Sequence, residues 1–102
     1  INDVGKKLLK DSGAEKLFDE IKLDLLKKLK EKHFDSLLKL ERECLNVLLE
    51  KINDQKFKGI QNFAFEHPTF ENMALTYSDI LFVMSLKLRD EYRSQNSKSN
   101  LG

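Results

Sequence analysis

Asp79-Ile80-Leu81-Phe82-Val83-Met84-Ser85-Leu86-Lys87-Leu88 is the stretch whose reading decides the fold. At about 100° per residue, Tyr77, Ile80, Leu81, Met84, Leu88 and Tyr92 share one face of a helix, while Leu75, Phe82, Val83 and Leu86 lie on roughly the opposite one. A helix that is apolar on both sides belongs between neighbours. Phe70, Ala74, Tyr77, Leu81, Met84 and Leu88 repeat at alternating spacings of four and three, which extends the helix back to a cap at Thr69. Beyond Arg93 the residues are polar and patternless, so 94–102 is expected to be a disordered tail.

Working towards the amino terminus, His67-Pro68 breaks any helix that precedes it, because proline disfavours the helical conformation of the residue before it. Phe57, Ile60, Phe63 and Ala64 predict a short helix between Gln55 and Glu66, interrupted by Gly59. Before it, Leu37, Leu38, Leu40, Cys44, Leu45, Val47, Leu48, Leu49 and Ile52 define a helix from about Asp35 to Ile52. Its apolar arc of about 200° is wider than a surface helix needs, so it should touch at least two neighbours.

Leu17, Phe18, Ile21, Leu25 and Leu29 mark a further helix after Ser12-Gly13-Ala14-Glu15, which has the spacing of a capping box. No proline or second glycine separates Gly13 from Ile52, and an unbroken helix of that length would span about 60 Å. A domain of this size has a radius of gyration of about 13 Å. We therefore place a break at Lys32-His33-Phe34-Asp35-Ser36, with Asp35 or Ser36 as the new cap and Phe34 as a hydrophobic staple. Residues 1–11, with Gly5 among them, are expected to be a partly ordered lead-in.

The resulting fold class is all-α: a bundle of about four helices over 12–93, elongated if the break fails. The 102 residues suffice for one domain with a modest core. Eighteen basic residues oppose seventeen acidic ones, so no global charge draws the chain to nucleic acid or acidic lipid. The single cysteine, Cys44, excludes an internal disulfide, and a reducing intracellular compartment, cytoplasm or nucleus, is the expectation. No apolar run is long enough for a membrane span, and from the start at Ile1 the expectation is a segment cut from a longer protein.

Chemistry-bearing patterns are few. His33 and His67 have no metal-ligand spacing, Cys44 sits among leucines, and the pairs Asp19/Glu20 and Glu41/Glu43 lie on charged helix faces. No phosphate loop or nucleophile elbow is present. The chain is read as a non-enzyme without a cofactor or metal. The densest basic cluster is Lys22, Lys27, Lys28, Lys30 and Lys32, a candidate for nucleic acid or acidic membrane, although Asp24 and Glu31 dilute it and no aromatic residue is interleaved for stacking. Five of the seven phenylalanines fall between Phe57 and Phe82; Phe57, Phe63 and Phe70 are assigned to the core, and Phe65 and Phe82 are left open.

The preferred site is the second stripe of the last helix, Leu75, Phe82, Val83 and Leu86, because few residues remain to cover it. It implies an interaction or oligomerisation domain, a scaffold or adaptor, that buries this face against a protein partner or a second copy in a homodimer. Nucleic acid is the less favoured partner. Leu75-Thr76-Tyr77-Ser78-Asp79-Ile80-Leu81 also resembles the closing helix of the BART-like domains, and Phe34 to Leu49 is similar to an earlier helix of that family. The likeness covers about half the chain; a lysine-rich helix stands where those domains carry an acidic linker. It implies, as an alternative, binding of a small Arf-like GTPase through an apolar groove.

Overall fold

A computed structural model of the chain describes residues 3–66 and 73–100, with side chains at 3–66 and 76–95. Its elements are α1 (Asp3–Asp11), α2 (Ala14–Lys30), α3 (Leu37–Leu49), a single 3₁₀ turn (Gln55–Phe57), α4 (Lys58–Glu66) and α5 (Met73–Asn100). Among the described residues there is no β-strand.

Helix α5 is the element the others pack around: α1, α2, α3 and α4 all touch it. The first face read from the sequence is the buried one, with Ile80, Leu81, Met84 and Leu88 in the core and Tyr77 and Tyr92 packed against it. From α2 come Leu17, Phe18, Ile21, Leu25 and Leu29, joined by Ala14 and Leu26; from α3 come Leu40, Cys44, Val47 and Leu48. Phe57 and Ile60 close one end. The assembled fold has a radius of gyration of 14.0 Å, close to the compact expectation.

The long helical pattern does break where proposed. Helix α2 ends at Lys30, with Lys27, Lys28 and Lys30 in its last turn, where positive charge complements the helix dipole. Ser36 then caps α3, its hydroxyl accepting from the Lys39 N–H at 3.2 Å. Phe34 packs edge-on against Tyr92 of α5, ring centroids 5.7 Å apart at 90°. This contact ties the α2–α3 junction to the carboxyl-terminal half of α5.

Four readings need correction. The described residues form five α-helices rather than about four, because the lead-in is itself helical. Gly5 lowers its intrinsic propensity, but α1 buries Leu9 against α2 and α5, and packing outweighs propensity. The tail from residue 94 continues α5 as far as Asn100 instead of leaving the helix.

Ser12 is not part of a capping box. Gly13 occupies the cap position with φ 82°, the left-handed conformation that glycine adopts without penalty. Gly13 N–H donates to Lys10 C=O at 3.3 Å, while the buried Ser12 hydroxyl donates to Leu9 C=O at 3.3 Å and accepts from Ala14 N–H at 3.2 Å. The serine thus stands between the last turn of α1 and the first of α2. The expected cap at Thr69, together with His67 and Phe70, lies outside the described residues.

Candidate functional site: an apolar groove between α3 and α5

Helices α3 and α5 run antiparallel: Glu41 near the start of α3 meets Arg89 late in α5, whereas Leu45 and Leu49 lie beside Ser78, Asp79 and Phe82. Leu38, Leu45 and Leu49 have the spacing i, i+7, i+11, the same as Leu75, Phe82 and Leu86 on α5. Each set forms a stripe along its helix. Core packing takes Leu40, Cys44, Val47 and Leu48 from α3 and Ile80, Leu81, Met84 and Leu88 from α5. Between them remains an open groove of about 410 Å³, lined by Leu45, Leu49, Ser78, Asp79, Leu81 and Phe82.

Phe82 is 52% exposed on the wall of this groove, and Leu49 is 41% exposed. Leu38, on the same side of α3, is 63% exposed. Single exposed apolar residues are ordinary, but a phenylalanine and leucines adjoining one groove form a patch, and patches of this kind mark interaction surfaces. Asp79, half-buried in the groove wall, forms no ion pair among the described residues. Further along the two helices, outside the groove lining, Arg89 is held by Glu41 and Asp90 at 3.0 and 2.9 Å. The groove lining is therefore apolar apart from Ser78 and the carboxylate of Asp79.

Comparison with protein-family models, curated proteins and solved structures finds no match to the chain. The site has to be read from its own geometry.

The predicted stripe is divided by that geometry. Phe82 faces the groove; Val83 is half-buried and packs against the core; Leu86 is half-buried. Leu75 belongs to α5, but its side chain lies outside the described residues. Helix α1 and helix α4 take up parts of the α5 surface, and Val83 is among the residues packed against the core. The groove's α3 wall was not singled out from the sequence, although its signal was present. The apolar arc of α3 is wider than its two neighbours, α2 and α5, can cover, and the excess is the Leu38–Leu45–Leu49 stripe.

The basic cluster of α2 is largely engaged in ion pairs. Lys22 reaches Glu91 of α5 at 3.7 Å and Asp19 at 3.9 Å, Lys28 reaches Glu50 at 3.3 Å, and Lys32 pairs with Glu43 of α3. The hydrogen bond between Lys32 and Glu43 raises the lysine pKa and lowers that of the glutamate. Lys27 and Lys30 are exposed and form no ion pair among the described residues.

Cys44 is fully buried, and desolvation pushes its thiol pKa up to about 12, so almost no thiolate exists near neutrality. No group of three His, Cys, Asp or Glu side chains converges in metal-binding geometry among the described residues. No helix among them is long and apolar enough to cross a membrane.

Proposed function

We propose that the chain is a non-catalytic α-helical protein–protein interaction domain, and that the α3–α5 groove is its docking surface. The observation that carries this reading is the exposure of Phe82 beside Leu45 and Leu49, over a floor formed by Leu81. Burying such a ring and its leucine neighbours supplies the anchor that interfaces concentrate in a few central residues. The occupant is a second copy of this chain. An isologous contact needs a knob and a groove on one face, and Phe82 and the Leu45/Leu49 groove stand side by side. A dimer of ordinary strength buries about 800 Å² on each partner, which requires the exposed residues beyond the groove, Leu38 among them, to join the contact.

The test is solution mass by light scattering across a range of concentrations, for the chain and for Phe82→Glu, with circular dichroism on both. The expected result is a native dimer and a folded, monomeric Phe82→Glu. If both are folded monomers at every concentration, the second copy is rejected and an amphipathic helix from another protein becomes the occupant to screen. Loss of helicity in Phe82→Glu, with the native chain monomeric, would make Phe82 a structural residue and end the groove reading.

A further inference from the structure

Several lysines in and just beyond α2 and α3 are paired with carboxylates, but those of α1 are not. Lys22, Lys28, Lys32, Lys39 and Lys51 each have a carboxylate partner. Lys6, Lys7 and Lys10 form no ion pair among the described residues. They are exposed on one flank of α1, beside the face that buries Leu9.

The tertiary fold adds a fourth cation from far away in sequence. Lys87 of α5 joins Lys6, Lys7 and Lys10 around a single cleft of about 460 Å³, with Leu9 and Glu15 completing the lining. The Lys87 ammonium lies 5.4 Å from the centroid of the buried Phe18 ring. A cation–π contact of this kind holds the side chain in place without cancelling its charge. Lysine stems and Leu9 contribute apolar wall to the cleft, and the flexible stems of the exposed Lys6, Lys7 and Lys10 let their ammonium groups turn towards a guest beside the positioned Lys87.

The lining itself sets four ammonium groups against one carboxylate, a net charge of +3, with Asp3 and Asp11 each one turn from Lys7 on α1 and outside the lining. Like charges so gathered repel one another, and a bound anion relieves that repulsion. A single carboxylate offsets only a third of the excess. A phosphate monoester carries about −1.5 to −2 at neutral pH, so two of them match it. We propose that the cleft between α1 and α5 binds clustered phosphates, as borne by a multiply phosphorylated small molecule or by a phosphorylated lipid headgroup. An extended nucleic acid is a poorer guest, because no exposed aromatic side chain lines the cleft for base stacking. This site is separate from the α3–α5 groove and does not depend on the reading given to it.

The experiment measures binding of inositol trisphosphate to the full chain by calorimetry, and cosedimentation with phosphatidylcholine vesicles containing a few mole per cent phosphatidylinositol bisphosphate. The variants are Lys6→Gln/Lys7→Gln/Lys10→Gln, on the exposed side of α1, and Lys27→Gln/Lys30→Gln as a control for charge alone. Lys87→Gln is added to test the contribution of α5. The expected result is binding that the triple variant weakens about tenfold or more, that Lys87→Gln also weakens, and that the control leaves unchanged. Binding of the soluble probe assigns the ligand to free phosphates, and binding of vesicles alone assigns it to a lipid headgroup. The proposal is overturned if neither probe binds or if the two multiple variants weaken binding equally. It is also overturned if a single-stranded oligonucleotide binds through the same lysines as tightly as the clustered phosphates.

Discussion

Arg89 of α5 donates from Nη1 to a carboxylate oxygen of Glu41 on α3 at 3.0 Å, joining two residues 48 positions apart in the chain. The same guanidinium donates from Nη2 and Nε to Asp90 at 2.9 and 3.1 Å. One planar group thus spans the two helices that form the groove and fixes their register at one end. In a double-mutant cycle on Arg89→Ala and Glu41→Ala, a coupling energy of about 0.5–1 kcal/mol is expected from urea unfolding. A coupling near zero would show that solvent screens the pair and that apolar packing alone sets the register.

The junction between α1 and α2 rests on two small residues. Replacing Ser12 by alanine strands the Leu9 carbonyl and the Ala14 N–H, and should cost about 1 kcal/mol in chemical denaturation. Gly13→Ala should cost about 1–2 kcal/mol through backbone strain alone, since a Cβ there would meet no atom within 4 Å. An unchanged midpoint in both variants would mean that α1 contributes nothing to global stability.

Cys44 should resist labelling in the native protein. With its thiol pKa pushed up to about 12 and its side chain buried, reaction with a disulfide reagent at pH 8 is expected only after denaturant is added. Rapid native labelling would reveal frequent opening of the α3–α5 contact. Cys44→Ser places a hydroxyl in the same apolar site and should destabilise the fold by about 1–3 kcal/mol.

The Lys32–Glu43 pair gives a pH dependence with a definite sign. Its hydrogen bond lowers the folded-state pKa of Glu43 below the ordinary 4.5, so the folded state holds fewer protons than the unfolded one in that region. The stability it contributes is fully present above the unfolded value and disappears as pH falls through the lowered folded value. Thermal melts of the chain and of Glu43→Gln should therefore differ slightly at neutral pH and converge in acid. Added salt should shrink the neutral-pH difference, because the lysine is exposed. A difference that persists in acid would assign the effect of Glu43→Gln to something other than the ion pair.

The sequence by itself determined the helical nature of the chain, the face of α5 that is buried, the core stripe of α2 and the break before Ser36. Each follows from local rules: apolar spacing selects a helix face, compactness forbids an unbroken rod, and a serine after polar residues offers a cap. The same rules misassigned Ser12, because the Ser-Gly-Ala-Glu spacing is shared by a capping box and by a left-handed glycine turn. They also undervalued α1, whose propensity is weak and whose order comes from burying Leu9.

Only the tertiary structure decided which side chains are left over. Periodicity placed Phe82 and Val83 on one stripe, yet packing draws Val83 towards the core and leaves Phe82 beside Leu45 and Leu49. Charge density drew attention to Lys22–Lys32, yet α3 and α5 supply carboxylates to three of those lysines and Lys87 joins the cluster on α1. Spacing along a helix specifies a direction for each side chain. What that side chain meets depends on a neighbour tens of residues away, and only packing brings the two together.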